Sequence, residues 1–404
     1  MSDNFERQKG LRRLWMASAW LFVAGAVAGV CFRWGMVASF PDGWDAGNIR
    51  HGHSHLMLMG WATPALMALM GARWPAQGGR NSERAVCLVG WIAWGLALAS
   101  FPAFLLYGYQ SVAIGSAELP IAAILSGLAI LAWYGFAVVY FRANRGVERT
   151  AAMRLWDLAV AALVISSIGA WAVAGLMIAD VDSVLWEAAT VHFFVDLFGG
   201  GWLVLGLVGV LRSHVELEDS TNERIGRILV GGAVALVFLV GLPREYTPTV
   251  WPLLGSAAAG FVAAGLALIA QRIWAEQGRW SRRVLVFLAI KVVMLAAVAI
   301  PPLAEWGLGA GLRLFYLHIA LVGFVTLGLV AMAARQWGEQ TVGSLQAWLA
   351  AVVVLLATML PLTGLWPREL AGQWVHQVAL VGSAFAVLAT GAACMVGSWG
   401  SEEG

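Results

Sequence analysis

Long runs of apolar residues, separated by short polar segments, extend along the whole chain. A helix needs about 20 apolar residues to cross a bilayer core about 30 Å thick, and the runs show no period-2 alternation that would indicate strands. Twelve runs meet the length criterion, at about 14–37, 53–72, 85–107, 117–141, 155–178, 187–211, 225–243, 251–273, 283–303, 311–333, 345–363 and 373–397. The pattern therefore predicts an all-α polytopic membrane protein with twelve transmembrane helices, in a single transmembrane domain over residues 1–404.

Composition and charge support this class and exclude others. Hydrophobic residues make up 60% of the chain and charged residues only 12%, whereas soluble domains are about 45–50% apolar and about 25% charged. The formal net charge of +2 gives no sign of a nucleic-acid partner. The three cysteines are too scattered for a zinc site or a disulfide framework.

The distribution of lysine and arginine predicts the orientation. With a cytoplasmic N-terminus, most of these residues fall on the cytoplasmic side, which is the bias expected of inner-membrane proteins. The outer side holds only Arg33, Arg50, Arg244, Arg313 and Arg368. We therefore predict a bacterial-type inner membrane protein with both termini in the cytoplasm. Lys291 falls inside the ninth predicted helix.

Six of the seven histidines fall in or next to predicted helices, in the outer half of the membrane. Ionisable residues at membrane depth are costly and usually face the bundle interior or a cavity. Their concentration in one layer therefore predicts a binding site on that side. The second, sixth, tenth and twelfth predicted helices carry them: His51, His53, His55, His192, His318 and His376.

An internal repeat relates two of these helices. The segment after His55, L-M-L-M-G-W-A-T-P-A-L-M-A, aligns without a gap with I-A-L-V-G-F-V-T-L-G-L-V-A after His318. Besides the histidines, the identical pairs are Leu58/Leu321, Gly60/Gly323, Thr63/Thr326, Leu66/Leu329 and Ala68/Ala331. The sixth helix, with His192, is a looser match. Because the three helices are spaced by four, the chain is predicted to contain three four-helix pseudo-repeats, at about 1–145, 146–280 and 281–404.

These features resemble subunit I of the heme-copper oxidase superfamily. In that family one histidine from the second helix and one from the tenth are the axial ligands of a low-spin heme. The segment H-S-H-L-M-L-M-G-W is similar to the family's second helix, and L-H-I-A-L-V-G-F to its tenth. The resemblance implies His318 as one axial ligand. On the second helix the internal repeat favours His55, while an alignment on the L-M and P-A-L residues favours His53.

A second metal is implied by the sixth helix, where V-H-F-F-V-D resembles the V-H-x-x-V-E motif of nitric oxide reductases. His192 and Asp196 are four residues apart, so they share one helix face. Imidazole and carboxylate would suit iron or another divalent metal better than cuprous copper. A buried His–Asp hydrogen bond is the alternative interpretation. His51 and His376 are the further candidate ligands.

The chain also departs from the oxidase pattern. The stretch F-L-V-G-L-P-R-E-Y-T-P, which corresponds to the family's seventh helix, lacks the adjacent His-His pair, and Tyr316 stands where the tenth helix should carry a further histidine. The usual binuclear centre is therefore expected to be absent or rebuilt, and whether the protein is an enzyme stays open. The NnrS family, whose members contain heme and copper and respond to nitric oxide, has a similar H-x-H-x-x-x-x-G motif, here beginning at His53.

The resemblance implies an integral membrane heme protein, with a second metal such as iron or copper, that acts in electron transfer or in nitric oxide or oxygen chemistry. Its electron donor would be a cytochrome or a quinol. Arg368 matches the position of the family's propionate-binding arginines, with Arg50, Arg244 and Arg313 in reserve. Two alternatives remain: a divergent reductase, and a transporter or heme- or metal-handling protein whose histidines line an outer cavity.

Overall fold

The computed structural model describes residues 2–74 and 79–399, with side chains for 8–74, 82–367 and 369–397. This part of the chain is almost entirely helical. Its α-helices are α1 (Ser2–Ala38), α2 (Ala46–His55), α3 (Thr63–Arg73), α4 (Gly79–Tyr107), α5 (Ile121–Ala143), α6 (Ala151–Ile178), α7 (Val184–Asp196), α8 (Leu205–Arg212), α9 (Thr221–Ala233), α10 (Val250–Glu276), α11 (Arg279–Val298), α12 (Pro301–Gly309), α13 (Leu312–His318), α14 (Leu327–Trp337), α15 (Leu345–Met359) and α16 (Trp374–Trp399). A two-stranded antiparallel hairpin, β1 (Val112–Ile114) and β2 (Ala117–Leu119), connects α4 to α5.

The prediction of an all-α polytopic membrane protein is confirmed. Within the described residues, eleven helical segments are long and apolar enough to cross a membrane, and the number is twelve if the bent pair α11 and α12 forms one span. This pair bends by 112°, immediately before Pro301 and Pro302. Proline cannot donate a backbone hydrogen bond and disfavours helical conformation in the residue before it. The ninth predicted helix, 283–303, is therefore interrupted near its end.

The chain forms two compact units. The first consists of Met1–Val147, Leu329–Leu362 and Trp366–Gly404, and the second of Glu148–Gly328 and Thr363–Leu365. The division into three four-helix pseudo-repeats stays a prediction.

Buried aromatic side chains form the core of the first unit. Trp61 packs edge-on against Trp15, with ring centroids 5.7 Å apart, and stacks on Trp348 at 6.3 Å. All three are almost completely buried. In the second unit Trp156 is buried as well, and its indole N–H donates to the Gly206 carbonyl at 3.2 Å.

Ion pairs and hydrogen bonds hold the connection between α8 and α9 in the second unit. Arg212 donates to Glu223 at 2.6 Å and to the carbonyls of Val215 and Leu217 at 2.9 and 2.7 Å. Glu223 also completes a capping box with Ser220 at the start of α9. The connection after α8 is therefore held by charge-assisted hydrogen bonds.

Asp219, in the same connection, holds two arginines. It accepts hydrogen bonds from Arg227 at 2.8 and 2.7 Å and from Arg154 at 2.5 Å. The hydrogen bonds from Arg227 are the main cause that lowers the pKa of the Asp219 carboxyl, and the positive charges of the surrounding arginines add to it. The carboxylate form is thus stabilised in the folded protein.

Candidate functional site

Three of the histidine-bearing helices change from α to π geometry at corresponding positions. The π segments are π1 (Leu56–Ala62), π2 (Leu197–Val204) and π3 (Ile319–Thr326). In each helix an α-helix precedes the π segment and another follows it. π-Helical turns are rare and are frequently found at functional sites. The three segments therefore mark one candidate position on each helix.

An ionisable residue stands directly before each π segment: His55, Asp196 and His318. With Asp196 set against His318, Gly201 matches Gly323, and the sequence Leu-Gly-Leu-Val recurs at 205–208 and 327–330 without a gap. The bounds of π2 and π3 coincide in the same alignment. In local structure Asp196, rather than His192, is therefore the counterpart of the two histidines.

This correspondence does not appear when the helices are aligned on histidine. The sequence does contain a signal for it, since a glycine and then an aromatic residue follow all three ionisable residues at the fifth and sixth positions. The pairs are Gly60–Trp61, Gly201–Trp202 and Gly323–Phe324.

In the first unit, His53 is held against the backbone of α1. Its Nδ1 donates to the Gly25 carbonyl at 2.8 Å, and its Nε2 has no hydrogen-bond partner among the described residues. A Cβ added to Gly29 would lie 3.2 Å from the imidazole, so this glycine lets the ring lie close to α1. With the proton on Nδ1, Nε2 carries the lone pair, which is the arrangement that metal-binding histidines usually have.

His55 has a different environment in the same unit. Its two ring nitrogens lie 3.3 Å from the Tyr109 hydroxyl and 3.3 Å from the Ser126 hydroxyl. The ring stacks on Phe104 with centroids 4.1 Å apart, and the ring of His51 meets Tyr109 edge-on at 4.9 Å. His51 and His55 thus share a polar and aromatic cluster, and both nitrogens of His55 are already engaged by hydroxyl groups.

Three further candidate site residues belong to the first unit: His376, Arg368 and Arg50. Nδ1 of His376, on α16, is buried and has no hydrogen-bond partner among the described residues. Arg368 begins a short 3₁₀ turn, and its side chain lies outside the described residues. Arg50, in reserve for the propionates, is exposed.

In the second unit, Asp196 forms an ion pair with Arg313. The Arg313 guanidinium donates to the two carboxylate oxygens at 3.1 and 3.2 Å, and the Asp196 side chain is only 9% exposed. His192, one turn earlier, makes no hydrogen bond to Asp196, and its buried Nδ1 lacks a partner among the described residues. The carboxylate is thus directed to a guanidinium on α13 rather than to the imidazole.

Lys291 lies beside this ion pair and is 3% exposed. Its ammonium donates a hydrogen bond to the Tyr316 hydroxyl and lies 4.3 Å from the centroid of that ring. A cavity of about 30 Å³ adjoins the group; it is lined by Asp196, Lys291, Tyr316, Gly199, Gly200, Val195, Val234, Val237, Val262, Leu295, Leu317, Ala320 and Leu321. We refer to it as the Lys291 cavity.

His318 also belongs to the second unit. Its Nδ1 donates to the Leu314 carbonyl at 2.8 Å, so it has the same tautomer as His53. The prediction that His55 and His318 face each other across a heme stays a prediction, because the two residues belong to different units. Among the described residues, no group of three or more His, Cys, Asp and Glu side chains is arranged to hold a metal ion.

The structure thus brings predicted site residues together in two places: His51 with His55, and Asp196 with Arg313. His53 contacts the backbone of α1, and Lys291 lies near the second pair. Comparisons with known proteins add no relative: no family model matches the chain, and no curated protein is similar to it.

Proposed function

We propose that the protein is a heme-binding membrane protein that acts in electron transfer or in nitric oxide or oxygen chemistry, with His53 as an axial ligand. The observation that supports this most directly is the hydrogen bond from His53 Nδ1 to the Gly25 carbonyl. A low-spin heme, when bound, would supply one-electron oxidation and reduction at its iron.

The donor set of the first unit fits an axial ligand at His53 better than at His55. The Gly25 carbonyl fixes the ring orientation and the tautomer of His53, and such outer hydrogen bonds raise the basicity of a ligating imidazole. His55 would have to give up a hydrogen bond to Tyr109 or Ser126 before it could bind a metal. Of the two histidines that the sequence left open, we therefore assign the role to His53.

The resemblance implies His318 as the other axial ligand, and the hydrogen bond from its Nδ1 to the Leu314 carbonyl is in keeping with that role. Asp196 is less suited to a second metal than its spacing from His192 suggested, because its carboxylate is neutralised by Arg313. We therefore propose heme as the cofactor of this chain, without a rebuilt iron or copper centre at His192.

Absorption spectra of the purified protein and two matched variants test the proposal. We expect a Soret band and a sharp α band on reduction in the unchanged protein and in His55→Ala, and loss of the α band in His53→Ala. His318→Ala should lose it too. Added imidazole should restore a low-spin spectrum to His53→Ala, which separates loss of a ligand from misfolding.

Two results would contradict the proposal. If the purified protein stayed colourless after incubation with hemin, heme binding would be excluded as its function. A band lost in His55→Ala and kept in His53→Ala would move the ligand back to His55.

A transporter is the second candidate, favoured by one observation. Lys291 and Asp196 line a small cavity and Arg313 pairs with Asp196, and all three belong to helices apolar enough to span a membrane. Charged groups within such helices often mark the path of an ion or substrate. A colourless protein that moves protons or ions in proteoliposomes would support this candidate over heme binding.

A further inference from the structure

We infer that the Lys291 cavity binds one small monovalent inorganic anion, held by the Lys291 ammonium and the Tyr316 hydroxyl. The inference concerns only the second unit and does not depend on heme binding. It uses a group of buried charges that the proposed electron-transfer function leaves without a role.

The charges around the cavity do not balance. Asp196 and Arg313 neutralise each other through two contacts of 3.1 and 3.2 Å. The ammonium of Lys291 donates to the neutral Tyr316 hydroxyl, so one positive charge is left on the cavity wall. An uncompensated charge buried in a low-dielectric interior is expensive. An anion beside Lys291 would bring the site to neutrality.

Hydrogen-bond donors point to the same ligand. An ammonium has three N–H donors, and Tyr316 takes one of those on Lys291. Because the Tyr316 oxygen accepts from Lys291, its own proton is left for a second partner. Donors on two side chains that line one cavity suit an anion or an acceptor oxygen, and the only carboxylate in the lining is already paired with Arg313.

The cavity has room for such a ligand. A single water needs roughly 10–15 Å³ measured in this way, and the cavity has about 30 Å³. Gly199 and Gly200, in π2, form part of its wall. A Cβ added at these positions would stay 3.7 Å from Leu321 and 3.8 Å from Val234, so alanine would reduce the free volume without a clash.

Thermal unfolding in detergent with different sodium salts tests the inference. At constant ionic strength, replacing gluconate by chloride or bromide should raise the unfolding midpoint in a saturable way, because a ligand that binds only the folded state stabilises it. Lys291→Met should abolish the dependence on halide, and Lys291→Arg should keep it. Gly200→Ala, which fills the cavity and keeps every charge, should weaken the halide effect.

Asp196→Asn separates an anion site from other uses of the same group. It removes the opposing negative charge and keeps a hydrogen-bond acceptor for Arg313, so the halide concentration needed for half the effect should fall. In bromide-grown crystals, a bromide peak should lie beside Lys291 Nζ.

Any of three results would overturn the inference. The first is an unfolding midpoint that does not distinguish halide from gluconate in the unchanged protein, as expected for a cavity that holds only water beside a neutral lysine. The second is an undiminished halide effect in Lys291→Met. The third is a weaker halide effect in Asp196→Asn, which would make the carboxylate part of the binding site. Heme binding is measured by absorption and anion binding by thermal unfolding. A missing halide effect would therefore contradict the anion site and not the proposed function.

Discussion

Two positions along one continuous helix of the second unit, which runs from α7 through π2 to α8, hold charge clusters of opposite character. At the end of α8, Arg212 and Glu223 are 4% and 1% exposed and are joined at 2.6 Å, and nearby backbone carbonyls take up further guanidinium donors. At the end of α7, Asp196 and Arg313 are paired, but Lys291 adds an unbalanced charge and His192 leaves a buried nitrogen unbonded. We call the first the saturated cluster, because both of its charged groups have charged and hydrogen-bonding partners. In the second cluster Lys291 contacts only a neutral hydroxyl and His192 has an unbonded nitrogen among the described residues, so these groups are available to a ligand.

The largest expected effect is in the saturated cluster. Arg212→Ala leaves Glu223 as an unpaired charge in a buried position, and breaking such a pair costs about 3–5 kcal/mol. The free energy of unfolding, measured by denaturant titration in mixed micelles, should fall by that amount. Replacing both residues together, Arg212→Met with Glu223→Leu, should recover much of the loss. Equal losses in the single and double variants would contradict this view of the pair.

Asp196→Ala should cost less. Arg313 is 28% exposed, so its guanidinium can recover some hydration, and we expect a loss of about 2 kcal/mol, below the range for fully buried pairs. The same titration measures it. A loss as large as that of Arg212→Ala would show that the cluster at Asp196 is just as important for stability, and the contrast between the clusters would fail.

Acid should weaken the connection between α8 and α9, because Asp219 in this connection pairs with Arg227 and Arg154. The pKa of this carboxyl is lowered in the folded protein, so its contribution to stability is complete above the unfolded value, about 3.9, and is lost as the pH falls through the folded value. The unfolding midpoint should therefore decline more steeply below about pH 4 in the unchanged protein than in Asp219→Asn. Parallel declines would contradict the assignment.

The smallest effect is expected from the ion pair between Arg149 and Asp157. Their atoms are 3.1 Å apart, but the side chains are 28% and 31% exposed, and exposed pairs contribute about 0–1 kcal/mol. Asp157→Asn should change the free energy of unfolding by less than about 1 kcal/mol. This variant is the control for Arg212→Ala and Asp196→Ala, since it tests the cost of losing an ion pair that water can replace.

Hydrophobic patterning was sufficient to predict the membrane helices, because lipid requires a long apolar run for each span. It could not predict the π segments, since π2 differs from an α-helix in its hydrogen bonding and not in its composition. It also could not separate His53 from His55. Two residues apart on a helix differ by about 200° around its axis, so one meets the Gly25 carbonyl and the other the Phe104 ring.

The pairing of Asp196 with Arg313 was beyond the sequence for a different reason. The two residues are 117 positions apart, and the sequence pattern places Arg313 only among the outer-side arginines in reserve for heme propionates. The ion pair between α7 and α13 is what shows that the charge of Arg313 is neutralised within the second unit.

The π segments have a consequence for the register of these helices. Because the hydrogen bonds of π2 span one residue more than those of an α-helix, each residue of π2 turns the helix by less than the α value of about 100°. Deleting one residue between 197 and 204 should therefore restore α geometry and leave α7 and α8 facing nearly the same neighbours as before. The π segment thus lets this helix absorb a single-residue change of length while Asp196 and Leu205–Arg212 keep their contacts.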